Sequence, residues 1–206
     1  MMSNPWETIS LNDYENHMKL KTVQQLQAMN VIMRDQFYRY PISSVMILGI
    51  AGGNGLNHID IDRIKMVYGV DVNRAYLEAC AKRYPQLENI FVPIPCDLQE
   101  DNIKLPSADM VIANLLVEYI GYSNFQKVVK QVRPQFVSCV IQVNADSSFV
   151  SFSPYLPVFD CLQEIHKEID EYGIIQAMRE IEYNLIYRED TALPNQKSLL
   201  RLDFTE

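Results

Sequence analysis

The sequence is poor in the residues that build metal centres and covalent cross-links. It has four cysteines and three histidines in 206 residues, and no two cysteines form a CxxC pair. A zinc site needs thiolates and imidazoles at short spacings, and a disulfide framework is typical of much shorter secreted chains. We therefore expect no metal site, and we interpret the cysteines as reduced thiols that are mostly buried.

Long apolar runs and an excess of basic charge are also lacking. No stretch approaches the ~20 apolar residues that span a bilayer, and the first eleven residues contain no apolar core of a signal peptide. The 18 lysines and arginines are outnumbered by 26 acidic residues, giving a net charge of −8, which argues against non-specific binding to a phosphate backbone. We expect a cytoplasmic protein with neither a membrane nor a nucleic-acid partner.

The chain contains no repeat, low-complexity tract or linker rich in proline and glycine that would divide it. Its length is typical of one domain, and its 48% apolar and 21% charged residues are close to the averages of globular proteins. We predict an N-terminal helical lid over residues 1–40, packed on a main domain over residues 41–206.

Short apolar segments alternate with helical patterns along the main domain. Such alternation, with strands apolar almost throughout, indicates a mostly parallel sheet covered by helices on both faces. The last two segments are separated only by a loop, which favours an antiparallel hairpin at the edge of the sheet. The prediction is an α/β, doubly wound sheet of seven strands with a C-terminal antiparallel hairpin. The strand segments are residues 44–48, 66–70, 89–93, 109–114, 136–143, 180–188 and 197–204.

The sequence predicts helices in three further segments. The apolar spacing predicts one amphipathic helical region from Ser10 to Tyr40, ended by Pro41. A short helix is expected within Leu56–Ile64, and another over Pro157–Tyr172 with Gly173 ending it.

The segment Val45–Asp71 carries the strongest functional signal. The first strand runs into the glycine-rich turn Gly49–Gly55, where missing Cβ atoms allow positive φ and close approach of a ligand. Asp71 follows Gly49 by 22 positions and ends the second strand. A carboxylate there can accept hydrogen bonds from both ribose hydroxyls of an adenosine cofactor.

Polar residues follow two further strands. Asp97 could accept a hydrogen bond from an adenine amino group, and Asn114 could contact the amino-acid half of a cofactor. Because the carboxyl ends of parallel strands meet at one edge of a sheet, these residues strengthen the prediction of an adenosine site.

These motifs resemble the class I S-adenosylmethionine-dependent methyltransferases. The resemblance covers roughly Ser44–Phe204, and the closing hairpin is similar to that family's reversed seventh strand. The motifs that carry it are residues 48–55 (LGIAGGNG), 68–71 (YGVD), 96–98 (CDL) and 108–114 (ADMVIAN).

The resemblance implies S-adenosylmethionine as cofactor and assigns a role to each motif. The glycine loop would hold the methionyl part, Asp71 the ribose, Asp97 the adenine, and Asn114 the edge beside the sulfonium. The implied cofactor-binding set is Gly49, Ala51, Gly52, Gly53, Gly55, Asp71, Val72, Asp97, Leu98 and Asn114.

The residues that would bind the methyl acceptor follow no fixed motif, and we expect the acceptor to be a small molecule. A hydroxyl or ammonium acceptor benefits from a general base, for which Tyr14, His17 and Glu118 are the candidates. Tyr14 and His17 are three residues apart and would share a helix face. The segment Ser147–Pro157 is a candidate substrate loop, and a homodimer remains open.

Two other functions are compatible with the glycine loop. A nicotinamide-dependent reductase with the spacing Gly49, Gly52, Gly55 would need a tyrosine followed four positions later by lysine. None of the twelve tyrosines meets that requirement. A domain that binds the cofactor without catalysing a reaction also remains open, because a fold does not dictate function.

Overall fold

A seven-stranded sheet forms the centre of the structure, a computed structural model that describes residues 4–144 and 149–206. The strand order is β3-β2-β1-β4-β5-β7-β6. Strands β1 to β5 are parallel to one another, whereas β7 is antiparallel to both β5 and β6. The strands are β1 Ser44–Leu48, β2 Met66–Asp71, β3 Phe91–Pro95, β4 Met110–Asn114, β5 Phe136–Val143, β6 Asn184–Ala192 and β7 Ser198–Thr205.

This topology confirms the predicted sheet and its C-terminal hairpin, although β3 and β6 begin two and four residues later than predicted. Strand order reverses between β1 and β4, which are hydrogen-bonded neighbours with Leu48 opposite Ala113. Ligands of open α/β sheets bind outside the carboxyl ends of the strands at such a reversal. Gly49 and Asn114 both lie at this point.

Helices cover both faces of the sheet, as predicted. On one face, α4 and α5 bury Phe125 and Met178 against the central strands. On the other face, α2 and α3 bury Phe37 and Leu77. The helices are α1 Leu11–Met18, α2 Gln25–Arg39, α3 Arg74–Arg83, α4 Val117–Val132 and α5 Glu171–Arg179.

The helix boundaries differ from the predictions in three places. The region 10–40 is two helices, because residues 19–24 form turns and Gln24 has a φ of +53°. Only Leu56–His58 forms a helical turn within the expected 56–64 helix. The helix expected over 157–172 is wrong. Residues 156–162 form a 3-10 segment and α5 begins only after Asp170, whose carboxylate accepts a hydrogen bond from Gly173 N–H.

A buried polar network lies between α2 and the strand pair β5 and β7. Arg201 and Asp203 are fully buried and paired through two hydrogen bonds of 2.6 and 2.9 Å. Asp203 also accepts hydrogen bonds from the hydroxyls of Ser138 (2.5 Å) and Tyr40 (2.8 Å), and Arg201 donates to Asp35 (2.7 Å). The network satisfies the charges that burial would otherwise penalise.

The four cysteines are all free. Cys80 and Cys139 are buried, Cys96 is partly buried and Cys161 is exposed. Burial raises the pKa of the Cys80 thiol to about 12. The buried thiols therefore remain protonated near neutral pH and act as small apolar side chains.

Candidate functional site

A cavity of about 680 Å³, counting its open mouth, lies at the carboxyl ends of β1, β2 and β4. We call it the first cavity. Seven of the ten predicted cofactor-binding residues line it: Gly49, Ala51, Asp71, Val72, Asp97, Leu98 and Asn114.

The glycine loop forms one wall of the first cavity. Gly49 has a φ of +66° and its N–H donates to the Val70 carbonyl at 2.8 Å, which turns the chain sharply after β1. A Cβ on Gly49 would lie 3.1 Å from Leu116 Cδ1. Ala51 follows with a φ of +48°, a strained conformation for a residue with a side chain.

The later glycines of the loop have packing contacts. Gly53 and Gly55 have positive φ and lie against the side chains of Cys80 and Met33, respectively, and they line no described cavity. Gly52 lies beneath the Glu15–Arg83 ion pair and lines a neighbouring, third cavity. Their assignment to the cofactor therefore stays a prediction.

Asp71 closes β2 as a nearly buried carboxylate. Its two oxygens accept hydrogen bonds from Ala51 N–H and Asn73 N–H, each at 2.9 Å. Burial raises the pKa of Asp71 to about 6, although these backbone hydrogen bonds oppose the shift. The Asp71–Ala51 bond ties the glycine loop to the second strand, so the carboxylate and the loop share one rigid geometry.

Asp97 and its neighbourhood contact the N-terminus of the chain. The Asn4 side chain donates to Asp97 Oδ2 at 3.0 Å. Asn73 donates to the Trp6 carbonyl at 3.0 Å, and Tyr76 donates to the Ile9 carbonyl at 2.9 Å. These contacts hold residues 4–9 along the first cavity. Asn4 and Trp6 form part of the wall of this cavity.

The Asn114 side chain is held from behind. Asn114 and Gln36 exchange two hydrogen bonds of 3.0 Å between their side-chain amides. Gln36 is fully buried and donates also to Ser138 Oγ at 2.8 Å. Ser138 in turn donates to Asp203, so Asn114 is connected to the buried polar network.

A second cavity of about 580 Å³ adjoins the first. The two share Trp6, Tyr14, Leu115 and Tyr119 as lining residues. His17 and Glu118 line only the second cavity of these two, and Tyr14 lines both, so the three general-base candidates are brought together.

His17 is buried and paired with the candidate substrate loop. Its Nδ1 lies 2.8 Å from Ser153 Oγ, and its ring packs against Phe159 with centroids 4.9 Å apart. Burial, with a smaller contribution from Lys197, lowers the pKa of His17 to about 4. The imidazole is therefore neutral near pH 7 and able to accept a proton or a hydrogen bond.

Glu118 lies at the start of α4 and is 6% exposed. Its Oε1 accepts a hydrogen bond from Gln142 N–H at 2.9 Å, whereas its Oε2 has no hydrogen-bond partner among the described residues. Burial raises the pKa of Glu118 to about 7. A group that titrates near neutral pH is suited to proton transfer.

Tyr14 is placed between other aromatic rings. It meets Trp6 edge-on at 5.8 Å and stacks near Tyr76 at 6.4 Å. Burial, with the nearby charges of Asp71 and Glu15, raises the pKa of Tyr14 well above its usual value. Its hydroxyl is therefore a hydrogen-bond donor and a poor base.

Several lining residues escaped the sequence analysis. Trp6, the single tryptophan, lies at 5.0 Å edge-on to Tyr119 between the two cavities. His166 lines the second cavity and stacks on Phe149 at 4.0 Å. The scarcity of tryptophan is the only sequence signal that could have singled out Trp6.

The candidate substrate loop is partly in place. Residues Phe149–Ser151 line the second cavity, and Ser153 contacts His17. Ser147, at the start of the predicted loop, lies outside the described residues.

A metal-binding cluster and a membrane-spanning helix are both absent from the part of the chain that the structure describes. Residues 4–144 and 149–206 contain no group of three or more histidine, cysteine, aspartate or glutamate side chains placed to hold a metal ion. Within the same ranges, no helix is long and apolar enough to cross a membrane.

No family model and no curated protein sequence matches the chain, but solved structures do. A magnesium protoporphyrin IX methyltransferase from Synechocystis PCC 6803 with bound SAH is 10% identical, with a TM-score of 0.66 over 99% of this chain and 97% of that one. The N-methyltransferase NodS from Bradyrhizobium japonicum WM9, in complex with S-adenosyl-L-homocysteine, is 11% identical, with a TM-score of 0.67 over 95% and 97%.

The same fold also occurs in a protein named for a different reaction. The [4+2]-cyclase SpnF is 8% identical, with a TM-score of 0.66 over 93% of this chain and 85% of that one. At such identities the likeness is one of fold. The chain has the fold of the class I S-adenosylmethionine-dependent methyltransferases, as its sequence motifs predict.

Proposed function

We propose that the protein binds S-adenosylmethionine in the first cavity and transfers its methyl group to a small molecule in the second. The observation that carries the proposal is the convergence of Gly49, Asp71, Asp97 and Asn114 on one cavity at the strand reversal. The solved structures of this fold that contain SAH support the same choice of cofactor.

The residues of the first cavity fit an adenosine ligand. Asp71 offers a nearly buried carboxylate as acceptor for ribose hydroxyls. Asp97 offers a second carboxylate as acceptor for an exocyclic amine, once Asn4 gives up its hydrogen bond to it. The turn at Gly49 brings backbone close to the cavity without a side chain in the way.

The second cavity supplies what the acceptor needs. The cofactor, when bound, supplies a methyl group already activated by its positive sulfur. The protein then contributes mainly alignment of the acceptor and exclusion of water. Glu118 and His17 are neighbours of this cavity that can hold or take a proton.

Residues 4–18, which belong to the segment 1–40 predicted as a helical lid, are proposed to close the site. They reach the first cavity through Asn4 and Trp6, and Glu15 pairs with Arg83 at 2.6 Å over the glycine loop. The pair is bidentate and partly exposed, so it is one of several contacts that hold the lid over the loop.

Calorimetric titration with S-adenosylmethionine and S-adenosylhomocysteine tests the proposal, with NADH as the competing adenosine ligand. We expect micromolar binding of both adenosyl compounds and none of NADH. Asp71→Asn removes a charged acceptor and is expected to weaken binding roughly 10- to 100-fold. Asp62→Asn, at an exposed aspartate, is the matched control.

Binding alone does not establish transfer. Radiolabelled methyl transfer to a mixture of small amines and alcohols distinguishes a methyltransferase from a domain that only binds the cofactor. Binding of NADH in place of the adenosyl compounds would overturn the proposal.

A further inference from the structure

The buried carboxyl of Glu118 lacks half of its hydrogen bonding. Oε1 accepts from Gln142 N–H, while Oε2 has no partner among the residues that the structure describes. A buried polar atom without a partner costs free energy, and native proteins nearly always satisfy it. Glu118 lines the second cavity and also a fourth one, which Lys167 and Arg188 line as well. A ligand in the second cavity is placed to supply the missing donor.

The walls around this carboxyl are aromatic. Ring faces attract cations, with an energy that grows when both are shielded from water. The described lining of the second cavity includes no lysine or arginine. The rings are those of Trp6, Tyr14, Tyr119, Phe149 and Phe159, together with the imidazoles of His17 and His166.

The charges near the cavity agree with a basic ligand. Burial lowers the pKa of both His17 and His166, so neither imidazole adds positive charge near pH 7. Two ammonium groups lie near this cavity without lining it: Lys197 donates to Asn144 Oδ1 at 3.0 Å and to the Phe149 carbonyl at 3.1 Å, and Lys167 donates to the Tyr119 carbonyl at 2.8 Å. A ligand with a carboxylate or phosphate would instead face Glu118 with a like charge and find no arginine in the described lining.

We infer that the acceptor is a small amine on an apolar or aromatic body, whose nitrogen donates a hydrogen bond to Glu118 Oε2. This inference rests on the proposed function, because it names the class of acceptor for that same cavity. A hydroxyl would also donate this hydrogen bond, but a neutral hydroxyl has no cation–π attraction to the aromatic rings.

The contact between the ligand nitrogen and Glu118 Oε2 also gives the ammonium proton a place to go. An amine must lose this proton before it can act as a nucleophile. An ammonium N–H transfers its proton to Glu118 Oε2, leaving a neutral amine with a free lone pair and a neutral carboxylic acid. Burial lowers the cost of this transfer, because it disfavours the charged forms of both groups. The raised pKa of Glu118, about 7, agrees with a carboxyl that accepts a proton readily.

Three probes of one shape test the inference: benzylamine, benzyl alcohol and benzoate. They are titrated by calorimetry into protein saturated with S-adenosylhomocysteine at pH 8. At this pH Glu118 is ionised and an alkyl ammonium keeps its proton, as lysine does. We expect benzylamine to bind at least tenfold more tightly than benzyl alcohol, and benzoate not to bind.

Glu118→Gln is expected to abolish the preference for the amine, whereas Glu164→Gln, which makes the same change at an exposed glutamate, leaves it intact. S-adenosylhomocysteine binding serves as the check that both variants are folded. If Glu118→Gln fails to fold, the ranking of the three probes on the native chain decides.

The outcomes separate the two proposals. Normal S-adenosylhomocysteine binding without preference for benzylamine, or a preference that survives in Glu118→Gln, overturns the amine inference and leaves the proposed function standing. Absence of S-adenosylhomocysteine binding by the native chain overturns both.

Discussion

Gln36 and Asn114 face each other with their side-chain amides and exchange two hydrogen bonds of 3.0 Å. Gln36 lies on a helix and Asn114 at the end of β4, so the pair fixes a residue of the first cavity to the layer behind the sheet. Because Gln36 also donates to Ser138, one buried amide orients two polar groups.

Replacing Gln36 tests this role. Gln36→Leu leaves the Asn114 side-chain amide without its partner and removes the donor to Ser138 Oγ, and an unsatisfied buried group costs about 1–3 kcal/mol. We expect a loss of this size in the free energy of unfolding by urea, together with weaker S-adenosylhomocysteine binding. Gln176→Leu, at an exposed helical position, is the control. Unchanged stability of Gln36→Leu would show that the amide pair is not formed in solution.

Glu118 is expected to make stability fall as pH rises. Its pKa in the folded protein, about 7, lies above the ordinary value of 4.5, so the folded chain binds more protons than the unfolded chain between these pH values. The contribution is fully present below pH 4.5 and is lost as pH rises through 7.

Urea unfolding at pH 5 and at pH 7.5 measures this effect. Glu118→Gln removes the titrating group, so its free energy of unfolding relative to the native chain should increase by about 2 kcal/mol between the two pH values. Asp71 and His17 also titrate in this range, but they are common to both proteins. Free energies of unfolding that change equally with pH in the native chain and in Glu118→Gln would contradict the raised pKa of Glu118.

We expect the loss of stability at the Arg201–Asp203 pair to be largest when only one of the two partners is replaced. Removing one partner of a buried ion pair typically costs about 3–5 kcal/mol, whereas replacing both by apolar residues is often neutral. We therefore expect Arg201→Met to be strongly destabilised, and the double variant Arg201→Met/Asp203→Leu to recover part of the loss. Thermal unfolding of the single and double variants checks this. Additive losses would contradict the pairing.

Trp6 offers an intrinsic signal, because it is the single tryptophan and lines both cavities. Binding in the first cavity should change its environment and hence its fluorescence. We expect a saturable change in emission on titration with S-adenosylhomocysteine, shifted to higher concentration in Asp71→Asn. An emission spectrum unaltered at saturating ligand would place the ligand away from Trp6.

The sheet and half of the site were predictable because they depend on local patterns. Largely apolar segments such as Phe136–Val143 indicate strands buried on both faces, and polar residues shortly after such strands converge by topology alone. Gly49, Asp71, Asp97 and Asn114 follow this rule.

The rest depends on contacts between distant segments. Asn4 reaches Asp97 across 93 positions, and His17 reaches Ser153 across 136. No periodicity encodes such pairs. The helix expected over 157–172 failed for a related reason, since Phe159 and Leu162 are buried with Ile9 in a small cluster outside the main core.

A crystal structure of the protein with S-adenosylhomocysteine tests the location of the cofactor site most directly. We expect the ribose hydroxyls at Asp71, the adenine beside Asp97 with Asn4 displaced, and the amino-acid half near Gly49 and Asn114. A ligand bound elsewhere, or crystals that take up none at saturating concentration, would contradict the assignment of the first cavity.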